Sequence, residues 1–167
     1  MRLFIALLFS DEIKEELEAI QHTCRRHGVE GNYTAKNNLH LTLAFIGEYP
    51  DPEPVKRAIA SVKFNPFTVK LEKTGSFRNL WWTGLSKSSD LKNAVKRLRR
   101  ALETAGIPFD AKQFSPHVTL IRQAKSPENA IPEELLEYAG KNEMTVSRFS
   151  LMRSDRKPSG IVYTEIN

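Results

Sequence analysis

Apolar positions along this chain switch between two periods. Residues 3–9 form a short apolar run, and 39–46 and 118–121 are mostly apolar and branched, so each reads as a strand. Elsewhere the spacing is helical. Ile13, Leu17, Ile20 and Cys24 are spaced 4, 3 and 4, and so are Leu91, Val95, Leu98 and Leu102. That spacing puts four side chains on one face of an α-helix. Both helices follow polar N-cap candidates, Ser10-Asp11 and Ser88-Ser89-Asp90, and both end near a glycine, Gly28 and Gly106. Turn regions at 47–54 and 126–132 lead into second helix candidates at 54–62 and 132–139, each followed by a further β run.

These elements form a strand–helix–strand–helix–strand pattern that occurs twice. His40 and His117 are offset by 77 (117 − 40), and the same offset relates Thr68-Val69 to Thr145-Val146. Leu3 opens an apolar run 37 residues before His40 (40 − 3), and Leu80 opens one 37 residues before His117 (117 − 80). The whole chain, 1–167, is expected to be a single domain built by internal duplication.

The repeat carries a polar word. His40-Leu41-Thr42-Leu43 and His117-Val118-Thr119-Leu120 are both His-x-Thr-Leu. On a strand, residues i and i+2 share a face, so each His lies beside its Thr while Leu41, Leu43, Val118 and Leu120 point into a core. Two imidazoles in one site can act as general base and general acid, and two hydroxyls can hold the oxygens of an anion. Packing alone does not call for the same polar pair in both halves.

Composition narrows the setting. Hydrophobic residues make up 40% and charged residues 27%, ordinary for a globular domain, and no stretch is long enough to span a bilayer. The opening Met1–Phe9 segment reads as a buried first strand rather than a signal peptide, since its run is short and an acidic amphipathic helix follows at once. The single cysteine, Cys24, excludes an internal disulfide and fits a reducing cytoplasm. A net charge of +5 favours anionic partners. Lys92, Lys96, Arg97, Arg99 and Arg100 read first as a solvated helix face, whereas Lys36, Lys73, Arg78, Arg122, Arg153 and Arg156 fall near strand and loop ends where a cleft would be lined.

Other chemistry finds less support. His22 and His27 lie about 140° apart around one helix and cannot form a one-face ligand pair. The flanks of His40 and His117 supply no third zinc ligand, and the sequence has neither a Gly-x-Ser-x-Gly elbow nor a Gly-rich phosphate loop. Neither a metal nor a cofactor is expected.

The stretches Asn38-Leu39-His40-Leu41-Thr42-Leu43-Ala44-Phe45-Ile46-Gly47-Glu48 and Phe114-Ser115-Pro116-His117-Val118-Thr119-Leu120-Ile121-Arg122 resemble the two signatures of the 2H phosphoesterases, most of all the RNA 2′,3′-cyclic phosphodiesterases once called 2′-5′ RNA ligases. Arg2-Leu3-Phe4-Ile5-Ala6, Leu80-Trp81-Trp82 and Ser159-Gly160-Ile161-Val162-Tyr163 extend the resemblance over nearly the whole chain. Members commonly continue past the tyrosine into a further apolar run, and this sequence ends at Asn167.

The resemblance implies a bilobal α+β fold, each half with a mainly antiparallel sheet flanked by helices, and an active-site groove between them. It implies hydrolysis of an RNA 2′,3′-cyclic phosphate to a 2′-phosphate, with His40 as proton donor and His117 as proton acceptor. The spacing itself gives the pair and leaves that assignment open. Thr42 and Thr119 would hold the non-bridging oxygens. Arg122 and Phe45, each three beyond its Thr, are substrate-binding candidates that regular alternation would turn away from the groove and a bulge would return to it. The expected partners are RNA ends or small cyclic nucleotides, met by a monomer and not at a membrane. Joining or cleaving a 2′-5′ linkage in the same site is the alternative, and a non-catalytic RNA-end-binding protein is the third reading.

Overall fold

The computed structural model describes residues 1–166. Its elements run β1 (Arg2–Leu8), α1 (Asp11–Arg26), β2 (Glu30–Tyr33), β3 (His40–Glu48), α2 (Glu53–Ser61), β4 (Phe67–Phe77), β5 (Leu80–Leu85), α3 (Ser89–Thr104), β6 (His117–Lys125), α4 (Glu133–Leu136), β7 (Glu143–Val146), β8 (Ser150–Lys157) and β9 (Gly160–Glu165). The strands form two antiparallel sheets with orders β3-β1-β8-β9 and β2-β6-β5-β4-β7. The fold is α+β. Among the described residues, no helix is long and apolar enough to cross a membrane.

The two long helices form where the periodicity places them. Ser10 Oγ accepts from Ile13 N at 3.4 Å and Ser88 Oγ accepts from Leu91 N at 3.1 Å, each capping an otherwise unpaired amide. Gly28 and Gly106 take left-handed φ values of 77° and 71° just past the helix ends, where a side chain would be strained. Ile13, Leu17, Ile20 and Cys24, like Leu91, Val95, Leu98 and Leu102, are buried. Burial of each such aliphatic side chain contributes about 1.5–3 kcal/mol. The opening apolar run is β1, a central strand flanked by β3 and β8, with Leu3 and Ile5 fully buried.

Three elements differ from their sequence expectation. The second helix of the C-terminal half is one turn, Glu133–Leu136, instead of 132–139. The chain leaves helical geometry there to satisfy buried Glu16, which accepts from the Tyr138 hydroxyl, from Lys141 N at 2.8 Å and from Asn142 N at 3.4 Å. Strand β2, Glu-Gly-Asn-Tyr, carries no alternation and exists because its backbone pairs with β6. Third, the sheets exchange strands. β4 closes the N-terminal half yet pairs with β5, whereas β8, from the C-terminal half, pairs with β1. The terminal strand β9 forms a regular ladder with β8 over Gly160–Glu165.

Candidate active site

Strands β3 and β6 begin at His40 and His117 and place both words in one groove of about 320 Å³. His40 Nδ1 donates to Asn38 O at 2.7 Å, and His117 Nδ1 donates to Ser115 O at 2.7 Å. A carbonyl only accepts, so each ring carries its proton on Nδ1 when neutral and leaves Nε2 for chemistry. His40 Nε2 meets the Thr42 hydroxyl at 2.9 Å. Thr42 and Thr119 line the same groove.

Phe45 and Arg122 also line it, and matching irregularities in β3 and β6 explain how. On β1, neighbours Ile5 and Ala6 face Ala44 and Thr42, so Leu43 is an extra residue in β3. On β5, neighbours Trp81 and Trp82 face Ile121 and Thr119, so Leu120 is the extra residue in β6. Leu43 and Leu120 are themselves offset by 77 (120 − 43). Each bulge breaks the two-residue alternation: Leu43 and Ala44 are both buried, as are Leu120 and Ile121. The residue after each buried pair, Phe45 or Arg122, then returns to the groove face.

The two imidazoles have unlike surroundings. The His40 ring lies 4.9 Å from Phe4 and 5.1 Å, edge-on, from Tyr163. Burial pushes the His40 pKa below its usual value; the hydrogen bond to Asn38 opposes that shift, and the charges of Arg122 and His117 add to it. His117 instead meets the edge of Phe77 at 5.5 Å, and Phe77 is 50% exposed. Arg2 sits over the Phe45 ring at 4.9 Å, so the groove carries two arginines, Arg2 and Arg122.

Sequence reasoning did not single out Arg2, Phe4, Thr34, Asn38 or Tyr163 as groove residues, yet all five line it. One signal was available: Arg2 is the lone charge in the first apolar run. Of the six basic residues expected near a cleft, only Arg122 lines this groove; Lys36 pairs with Glu18 and Arg153 with Asp155. His22 is exposed, His27 pairs with Glu134, and Cys24 lies in the core. Among the described residues, no group of three or more His, Cys, Asp or Glu is placed to hold a metal ion.

Two antiparallel sheets presenting paired His-x-Thr words into one groove define a 2H phosphoesterase. Residues 9–158 match the model of the 2′-5′ RNA ligase superfamily, and the chain belongs to that superfamily. It is 31% identical to a Thermus thermophilus protein named RNA 2′,3′-cyclic phosphodiesterase, over 98% of this chain and 87% of the relative. An Archaeoglobus fulgidus protein of the same name is 29% identical, over 99% of this chain and 98% of the relative. Among solved structures, E. coli LigT complexed with 3′-AMP superposes with a TM-score of 0.82 at 27% identity, covering 99% of this chain and 94% of LigT.

Proposed function

We propose that this protein hydrolyses a terminal RNA 2′,3′-cyclic phosphate to a 2′-phosphate, with His40 and His117 as acid and base and without a metal ion. It is a phosphoric diester hydrolase, and we read 1–167 as one domain with an internal duplication. The observation that carries the reading is the matched pair of imidazoles, each tied back through Nδ1 and each opening Nε2 to the same groove.

His117 Nε2 takes a proton from water as its oxygen bonds to phosphorus. The P–O3′ bond breaks, and His40 Nε2–H delivers a proton to the departing O3′. The Thr42 and Thr119 hydroxyls and the Arg122 guanidinium hold the non-bridging oxygens as charge builds on them. Phe45, with Arg2 above it, offers a stacking face to a base. Burial favours neutral His40 in the free protein, so the substrate's own phosphate must restore the proton that the donor role requires. Among the described residues, no carboxylate or thiol lines the groove, which supports acid–base chemistry over metal ligation.

The substrate would be an RNA end or a small cyclic nucleotide, met by a monomer in the cytoplasm. A second reading is joining or cleaving a 2′-5′ linkage, in which a 5′-hydroxyl replaces water at His117. The half-exposed Phe77 ring beside that histidine favours it as a surface for a second nucleoside. Incubation with an oligonucleotide ending in a 2′,3′-cyclic phosphate, followed by identification of the product isomer, tests the proposal. A 2′-phosphate supports it; an intact end or a 3′-phosphate overturns it.

A further inference from the structure

The bulges that turn Phe45 and Arg122 into the groove are each gripped from a distant helix. The extra residue of a bulge sits outside the regular pairing, and a buried carbonyl there needs a donor. Leu120 O accepts from Gln21 Nε2 on α1 at 3.1 Å and from Thr34 N at 2.9 Å. The same Gln21 nitrogen reaches Thr34 O at 2.9 Å. In the other half, Leu43 O accepts from Arg99 on α3 through Nε at 3.2 Å and Nη2 at 3.1 Å, and Arg99 Nη1 reaches Lys112 O at 2.6 Å. Gln21 and Arg99 are offset by 78 (99 − 21), as are Thr34 and Lys112 (112 − 34) and the helix caps Ser10 and Ser88 (88 − 10). Two chemically different side chains therefore make the same two contacts at matching places in the fold.

In both cases the contact with the bulge crosses between halves, while the second contact stays within one half. Gln21 belongs to the N-terminal half and holds the motif strand of the C-terminal half; Arg99 does the converse. Gln21 is only 4% exposed, so its amide is committed to these two carbonyls rather than to water. The Arg99 guanidinium carbon lies over the rings of Phe109 and Phe114, at 5.6 and 5.9 Å from their centroids.

We infer that Gln21 and Arg99 are positioning residues, which hold the Leu120 and Leu43 bulges and through them aim Arg122 and Phe45 at the phosphate and base of the substrate. The inference rests on the function proposed above. Neither side chain lines the groove, so each acts only through the strand it holds. A one-residue slip that erased either bulge would restore strict alternation and turn the groove residue away. Because each half holds the other's strand, disturbing one lobe changes the substrate contact made by its neighbour.

A double-mutant cycle separates this role from general support of the fold. Gln21→Met keeps the length and apolar body of the side chain but removes both donors. The expected loss is about tenfold in kcat/KM on an oligonucleotide with a 2′,3′-cyclic phosphate end, shrinking to less than about twofold when Arg122 is already alanine. Inorganic phosphate, titrated by calorimetry, should show the same dependence in its affinity. Equal losses with and without Arg122, or phosphate affinity identical in Gln21→Met and wild type, would overturn the inference. If Gln21→Met does not fold, the matching cycle of Arg99→Met with Phe45→Ala decides, read as KM for the oligonucleotide. A wild-type protein that leaves the cyclic phosphate intact overturns the function instead, and the phosphate titration still judges the clamp.

Discussion

Thr68 of β4 lies directly opposite Thr145 of β7, and the two are offset by 77 (145 − 68), the same offset as the histidines. The flanking pairs obey the same rule. Phe67 faces Val146 and Val69 faces Met144, so adding 77 to the β4 residue of either pair gives the β7 residue of the other. An antiparallel ladder maps onto itself by a half-turn about its centre, and this one centres where the two halves of the chain meet. Past that centre β4 joins the sheet of β6, while β7 leads into β8 in the sheet of β3. The exchange brings the two motif strands to either side of one groove and makes the halves interdependent.

The paired histidines predict a non-additive loss. His40→Ala and His117→Ala should each abolish nearly all turnover of a cyclic-phosphate substrate, and the double variant should be little worse, because acid and base act as a unit. Thr42→Ala and Thr119→Ala should be milder, costing about 1–3 kcal/mol of transition-state stabilisation each. Initial rates across the five proteins check both statements. A His40→Ala variant that kept most of its rate would exclude the two-histidine mechanism.

Proton NMR should find His40 titrating below about 6.5 in the free protein, the value of an unperturbed imidazole. Burial is the main cause, with Arg122 and His117 adding to it. A bound nucleotide phosphate adds negative charge and must raise the midpoint, whereas Arg122→Ala removes positive charge and must raise it without ligand. Because the unfolded chain binds this proton more readily, the contribution of His40 to stability is present above about pH 6.5 and is lost as the pH falls through the lowered folded value. A His40 midpoint above 6.5 in the free protein would contradict the burial argument.

Chelation should leave the rate unchanged. Both Nδ1 atoms are committed to backbone carbonyls, and among the described residues no carboxylate or thiol lines the groove to complete a ligand set. Activity after dialysis against EDTA is the measurement; loss that one divalent ion restores would move the chemistry to metal-assisted hydrolysis.

Gly140→Ala should destabilise without altering the turnover of folded molecules. A Cβ there would lie 2.5 Å from Leu71 O and 2.8 Å from Leu71 N, and the backbone on both sides is held by the bond from Gly140 N to Leu71 O at 2.8 Å. Overpacking of this kind costs about 1–3 kcal/mol. A thermal melt should register that as a lower Tm by about 2–4 °C per kcal/mol for a chain of this size. An unchanged melt would mean that the β4 backbone yields at Leu71.

What the sequence determined by itself was local. Helix faces, caps and the shared face of each His and Thr follow from neighbours within four residues, and those interactions form wherever the chain goes. Hence α1, α3 and the two His-x-Thr words were legible, and so were the equal offsets between them, which need no geometry. The tertiary structure decided what depends on partners far along the chain. A bulge is set by the strand beside it and by donors from another element, so Phe45 and Arg122 could be assigned to the groove only when β1, β5, Gln21 and Arg99 were in place. Arg2 and Tyr163 stand near opposite ends of the chain and come to line one groove through the sheet order β1-β8-β9, which no local period encodes. Buried Glu16 shortened α4, and the backbone of β6 made a strand of Glu30–Tyr33, because buried polar groups must find partners whatever the nearby residues prefer.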